Sequence, residues 1–364
     1  MSVFMGEVLK MSIFGESHGP AVGMTISGLP AGLPLDEEKI AAAMARRAPG
    51  KTPFSTARRE TDQVEFLSGI YQGKTCGTPL AALIRNHDRK SGDYQTTLLR
   101  PGHADYSGKM RYGGFNDPRG GGHFSGRLTA PLVLAGALAE SWLSRQNIVV
   151  AAHIAAIDQV EDRLFDPCRI EAKELEKLRR QAWPLLAKER ERPMQEAILA
   201  AQADGDSVGG IIECAAVNLP PGWGNPLFFG VESVIASLLY SIGAVKGVEF
   251  GSGFQLARRR GSEVNDAFII EEGQVKTATN HNGGLNGGLT NGMPLVVRAA
   301  IKPTPSIAKK QQTVDAKTGQ PAELSIVGRH DPCIVPRAVA AVEAALQLAL
   351  CDIGLSMKSR VLSE

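Results

Sequence analysis

The sequence has 364 residues, 43% of them apolar and 21% charged, the balance of a soluble globular protein with a sizeable core. Forty basic residues against 38 acidic ones leave a formal net charge of +2, which argues against a dedicated nucleic-acid binder and makes any positive field local. Five cysteines, at 76, 168, 214, 333 and 351, form no CxxC pair and no metal-ligand spacing, so reduced thiols and no metal centre are expected.

Gly6, Glu7 and Lys10 interrupt the start, so no apolar leader is read there. A strand-like run, Leu9–Phe14, leads into Gly15-Glu16-Ser17-His18-Gly19-Pro20. A helix is predicted over Asp36–Arg47, with Asp36 as N-cap and acidic residues in the first turn. Arg46-Arg47 and Pro49-Gly50 close it, and Arg58-Arg59-Glu60 follows. An Ala-rich helix is expected over Thr129–Arg145; its most apolar stretch, Ala130–Ala139, is far below the roughly 20 residues that span a bilayer. No membrane partner and a cytoplasmic location are expected.

The segment 170–203 is charged, helix-prone and broken by Pro184 and Pro193, and reads as a solvated helical excursion. Beyond it come a helix over Val231–Ile242, the basic run Arg258-Arg259-Arg260, and a second long apolar helix over Pro336–Ile353. Pro131 and Pro336 fit a first helical turn, where the missing N–H costs nothing. Both long helices are apolar over most of their circumference, which predicts central, buried positions.

Three short matches recur in the same order in both halves. Val22-Gly23 with Leu29-Pro30-Ala31-Gly32 is echoed by Val208-Gly209 with Leu219-Pro220-Pro221-Gly222. Val64–Ile70 is echoed by Val248–Phe254, and Gly73-xxx-Gly77-x-Pro79-Leu80 by Gly288-xxx-Gly292-x-Pro294-Leu295. A duplicated unit is expected, with halves of about 1–150 and 206–356. Because the halves interleave, the expectation is a single α+β domain over 1–364.

Chemistry concentrates in the Gly-rich loops. They are Gly15–Pro20, Arg100–Tyr106, Arg119–Arg127, Asn280–Gly288, Lys302–Ser306 and Gly328–Pro332. Guanidinium forks bind phosphate and carboxylate, and glycine runs present successive N–H groups to an anion. Together they predict a pocket for a small polyanion. His18, His103, His123, His281 and His330 lie in such loops and are candidates for proton transfer, whereas His87 and His153 are in unremarkable contexts. There is no HExxH, Rossmann GxGxxG, P-loop or GxSxG signature. If the halves pack about a pseudo-twofold axis, the loops around His103 and Arg127 face those around Asp331 and Arg337.

At these residues the chain resembles the chorismate synthase family along nearly its whole length. The resemblance rests on GESHG at Gly15–Gly19, RRxPG at Arg46–Gly50, RPGHADY at Arg100–Tyr106 and RGGG at Arg119–Gly122. It continues through AVKGVE at Ala244–Glu249, NHxGG at Asn280–Gly284, KPTxSI at Lys302–Ile307 and GRHDPC at Gly328–Cys333. It implies a β–α–β sandwich, a homotetramer, and elimination of phosphate from 5-enolpyruvylshikimate-3-phosphate with reduced FMN. NADPH enters only indirectly, to reduce the flavin. By motif, His18 protonates the departing phosphate, His103 helps set the flavin's protonation state, and Asp331 assists as a base. Ser17, Arg46, Arg47, Arg127 and Arg337 hold the substrate. The FMN positions are His123, Phe124, Ser125, Gly243, Ala244, Gly287, Lys302, Pro303, Thr304, Pro305, Ser306 and Arg329. The chain departs from the common family pattern at His123-Phe124, at Gly243 and at Pro53.

Two other readings carry different signatures. An NADPH-dependent flavin reductase would consume NADPH without substrate. An RNA-binding protein using its Arg/Gly loops would need aromatic platforms, and aromatics are only 5% of the chain.

Overall fold

The computed structural model describes residues 2–50, 60–87, 97–326 and 331–357. Alternation of apolar and polar residues builds the first sheet. Val22, Met24 and Ile26 of β3 (Ala21–Ser27) stand directly opposite Ile84, Ala82 and Leu80 of β5 (Leu80–Arg85), and all six are buried. With β1 (Val3–Met5), β2 (Lys10–Gly15) and β4 (Val64–Ser68) they form an antiparallel sheet of order β1-β2-β3-β5-β4.

The second sheet contains β6 (Val149–Ile157), β7 (Val160–Glu161), β8 (Gly210–Val217), β9 (Val245–Phe250) and β10 (Leu295–Ile301). Its order is β9-β10-β8-β6-β7, again antiparallel throughout. Short hairpins, such as Phe268–Glu271 with Gln274–Thr277, stand outside both sheets.

The main helices among the described residues are α1 (Glu37–Arg47), α2 (Asp105–Arg111), α3 (Thr129–Ser144), α4 (Ala172–Arg179), α5 (Glu191–Ala203), α6 (Val231–Ser241) and α7 (Val335–Met357). Two long ones, α3 and α7, stand between the sheets, and the other main helices pack around them. α3 packs on β3 and β5, α7 on β6 and β8, and the two pack on each other, with α1 against both. Asp36 caps α1 by accepting from the Lys39 N–H at 3.0 Å, as its sequence predicts.

α3 and α7 run side by side in the same sense. Gly136 packs directly on Ala344, where a Cβ would meet the Ala344 Cβ at 2.4 Å, and further along both helices Trp142 meets Gly354. α7 is long and apolar enough to cross a membrane, yet it is almost entirely buried among α3, α6 and the second sheet, and is a core helix.

The segment 170–203 is helical and largely exposed, but one face of it is covered. Leu175 and Leu178 of α4 and Met194 and Ile198 of α5 are buried, and α4 covers β6. The apolar stripe at helical spacing decides this against the charge of the segment. Beneath it lies fully buried His153, with its imidazole 3.3 Å from Asp162 and 3.0 Å from Glu213. Glu213 also accepts from Arg298, which bonds Glu249 on its other side.

Candidate active site

The N-terminal ends of α3 and α7 open onto one cluster of arginines. Arg47, in the last turn of α1, is 2% exposed and donates to Asp62 at 2.7 Å, to Thr129 at 3.1 Å and to the Gly126 carbonyl at 3.1 Å. Arg127, just ahead of α3, donates to the other oxygen of the same Asp62 carboxylate, to Asn86 at 2.8 Å and to the Arg85 carbonyl at 3.1 Å. Arg337, in the first turn of α7, pairs with Asp331 and donates to the Arg47 carbonyl at 3.2 Å.

Among the described residues, three guanidiniums therefore meet two carboxylates, and positive charge is left over. Burial first, and then Arg337 and Arg127, push Arg47 down to about 10 against the pull of Asp62. Burial opposes the charge on Asp62, but Arg47 and Arg127 outweigh it and hold the carboxyl below its usual range. Such a cluster gains from a bound anion, because one polyanion offsets the repulsion that burial magnifies.

Beside the arginines, the histidine loops close on a run of glycines. Gly120 and Gly121 have φ of +58° and +83°, in the left-handed region that glycine adopts freely. A Cβ on Gly120 would stand 2.1 Å from the His18 ring, and one on Gly121 would stand 3.2 Å from His103 Nε2. The bare backbone thus lets two imidazoles settle on consecutive residues. Ser17, 2% exposed, donates its N–H to the Gly122 carbonyl at 3.1 Å. His103 Nδ1 lies 2.6 Å from Asp105, which also takes a two-pronged bond from Arg100, 2.7 Å at each prong. That partner leaves Nε2 as the ring atom turned toward the glycine loop.

The loop Lys302–Ser306 comes to the same side. The Lys302 N–H donates to the Ala244 carbonyl at 2.9 Å, which joins Gly243-Ala244 to it, and the Lys302 ammonium donates to the Gly102 carbonyl, next to His103. Pro305 touches Gly102, Pro303 packs on Gly209, and Ser306 is buried. The Ser207 hydroxyl donates to the Thr304 carbonyl at 2.7 Å, and the Val208 N–H to the Pro332 carbonyl at 2.9 Å, which brings the Asp331 segment alongside. Burial, and then neighbouring Lys246, lower Lys302. Thr304 Oγ1 is buried with no hydrogen-bond partner among the described residues.

Other expected positions lie elsewhere. Arg46 is not in the arginine cluster: it grips Glu343 with bonds of 2.7 and 3.0 Å, and Arg179 joins that carboxylate and Glu140. The cause is helical geometry, since consecutive residues point about 100° apart around the axis. His123 bonds the Gly15 carbonyl at 2.8 Å and the Ser2 hydroxyl, and Phe124 packs on Gly108 and near Tyr112. Ser125 caps the turn ahead of α3 by accepting from the Arg127 N–H at 3.3 Å. Gly287 sits in the hairpin Leu285–Thr290, whose base adjoins Pro294 at the start of β10. Lys302 follows the end of that seven-residue strand, about 20 Å away along it. Arg329, His330, Arg58-Arg59 and Pro53 lie outside the described residues.

Sequence reasoning gave no role to Asp62, Asn86 or Asp105. The available signal was polarity in the wrong place. Asp62 and Asp105 are acids inside arginine-rich segments, and Asn86 ends an apolar strand.

The sequence model of the family described as "Chorismate synthase" matches residues 9–355. Curated relatives named chorismate synthase include one from Korarchaeum cryptofilum, 45% identical over 353 residues, covering 95% of this chain and 96% of the relative. Another, from Thermococcus kodakarensis, is 45% identical over 349 residues, covering 95% and 96%. A solved structure titled "Crystal Structure of Chorismate Synthase" superimposes with a TM-score of 0.77 at 32% identity, covering 98% of this chain and 94% of that one.

Proposed function

The chain belongs to the chorismate synthase family and is a carbon–oxygen lyase of that class, and on that premise we propose that the Arg47, Arg127 and Arg337 cluster holds the phosphate and carboxylates of 5-enolpyruvylshikimate-3-phosphate. The observation that carries this is the charge surplus around buried Asp62, next to two imidazoles. Ser17 lies at the same loop. The reaction is an anti-1,4-elimination of the 3-phosphate and a C6 hydrogen, which gives chorismate.

His18 gives a proton to the departing phosphate, as an acid placed in the transition state by its loop. His103, oriented through Asp105, and Asp331, oriented through Arg337, would stand beside a bound flavin and act on its protons. The residues suited to FMN are Lys302 with Lys246 for its phosphate, Gly243-Ala244 by backbone, and Pro303, Thr304, Pro305 and Ser306 as the wall. The desolvated lysine beside a second lysine, and the unpartnered Thr304 hydroxyl, suit an anionic group there. When bound, reduced FMN supplies the electron density that the elimination draws on. NADPH enters only as the source of electrons for that flavin.

We read the two sheets as a duplicated unit. The strand order β2-β3-β5-β4 in one and β6-β8-β10-β9 in the other supports that reading, as does the helix α3 or α7 that follows each set. The chain acts as one domain in a cytoplasmic homotetramer, with neither nucleic acid nor membrane as partner. Exposed Leu227, Phe228, Phe254, Phe268 and Ile270 supply apolar surface for contacts between copies. The alternative of a flavin reductase is not favoured. The deciding experiment is anaerobic release of phosphate from the substrate, which should occur with reduced FMN and fail with oxidised FMN. Release without flavin would overturn the assignment.

A further inference from the structure

Bonds from the His18 loop and from the arginine cluster converge on the side chain of Asn86. It follows β5 directly and is 3% exposed. Its amide nitrogen donates to the Glu16 carbonyl at 3.0 Å and to the Gly19 carbonyl at 2.9 Å, on either side of Ser17 and His18. Its amide oxygen accepts from Arg127 Nε at 2.8 Å. Its own main-chain N–H donates to the Pro20 carbonyl at 3.1 Å.

Both amide hydrogens are used and the oxygen faces a cation, so only one orientation of the amide satisfies its neighbours. Turned over, it would set its oxygen against two carbonyls and its nitrogen against a guanidinium. No other side chain of this size offers two donors and an acceptor. Aspartate keeps the shape but would repel both carbonyls, and leucine would leave them buried and unbonded.

We infer that Asn86 is a positioning residue that couples the His18 loop to Arg127, so that one side chain sets the spacing between the acid and the anion-gripping guanidinium. Arg127 is otherwise fixed by Asp62 and the Arg85 carbonyl, so a shift of its guanidinium on binding phosphate reaches the loop through this amide. The inference rests on His18 being the acid and Arg127 a substrate ligand.

Two double-mutant cycles test it, with kcat and KM measured anaerobically on the full-length protein with reduced FMN. Asn86→Ala should lower kcat about 10- to 100-fold, the range for a small misplacement of a catalytic group. In a His18→Ala background the same change should lower kcat no further, because the group it positions is gone. In an Arg127→Lys background it should raise KM no further. A merely structural role would instead lower thermal stability and give independent, multiplicative effects in both cycles, which overturns the inference. Where Asn86→Ala does not fold, the same-shaped Asn86→Asp carries both cycles. Wild-type turnover in His18→Ala overturns the reading beneath the inference, and the inference with it. Loss in His18→Ala with multiplicative cycles overturns the inference alone.

Discussion

Arg46 and Arg47 are neighbours in sequence, yet they end in separate buried networks, Arg46 on Glu343 and Arg47 on Asp62. One holds α1 against α7 and the other faces the proposed substrate. Arg46→Met should therefore lower stability by about 1.5–3 kcal/mol, because it takes one of two guanidiniums from a buried carboxylate that Arg179 still holds, while KM stays near wild type. Arg47→Ala should raise KM by about 10- to 100-fold, the worth of a charge-assisted hydrogen bond. Chemical denaturation and steady-state kinetics separate the two; a KM defect in Arg46→Met with unchanged stability would reverse the roles.

Asp62→Asn should leave Arg47 and Arg127 without their shared carboxylate. Stability should fall by about 3 kcal/mol, and added phosphate should restore part of it by screening the guanidiniums. The Asp62 pKa is depressed, so its contribution is present above its ordinary 3.8 and disappears as pH falls through the lowered folded value. Thermal melts with and without phosphate check this. Equal melting points for the variant in both buffers would count against an anion site.

His18→Ala should lower turnover by about 10²-fold or more, the usual cost of removing a general acid. Asp105→Asn should reduce turnover less and change its pH profile, because His103 would lose the carboxylate that fixes its tautomer. Phosphate release at a series of pH values distinguishes the two, and an unchanged profile for Asp105→Asn would separate that carboxylate from the chemistry.

Lys302→Ala should weaken FMN binding by about 10- to 100-fold, as expected for loss of a charge-assisted contact to phosphate. The affinity can be read from flavin fluorescence without turnover. An unchanged dissociation constant would place the flavin phosphate elsewhere.

His153 supplies a pH-dependent contribution remote from the site. Burial opposes its charge, but Asp162 and Glu213 outweigh it and raise its pKa above 6.5. That contribution is full below 6.5 and is lost as pH rises through the raised value. Asp162 is held below 3.8, so its share is present above that value and is lost as acid brings the pH through the lowered one. His153→Gln should therefore lower Tm by several degrees near about pH 6 and by much less near about pH 10. A loss independent of pH would show that the ring acts by packing alone.

The long-range pattern was legible because it rests on periodicity. The strand-like run Leu9–Phe14 became β2, the Asp36 cap placed α1, and two helices without a polar face announced a buried pair. Glycines, arginines and histidines in loops marked the site by composition. Direction was not legible. Arg46 and Arg47 look equivalent in a motif, and only the rotation of α1 sends them apart. Likewise Glu140 and Glu343 look like defects in apolar helices until Arg46 and Arg179 arrive from distant segments. Nor did the charge of segment 170–203 announce that Leu175, Leu178, Met194 and Ile198 form a covered face.

The close approach of Gly136 to Ala344 makes the helix pair act as calipers. Arg127, just ahead of α3, lies nine residues before Gly136, and Arg337 lies seven before Ala344, about 10 Å along α7. The jaws that face the proposed substrate are therefore set by a pivot with no room for even a methyl group. Widening that pivot would spread the two guanidiniums without touching either, so the aperture for an anion is written into the smallest side chains of the core.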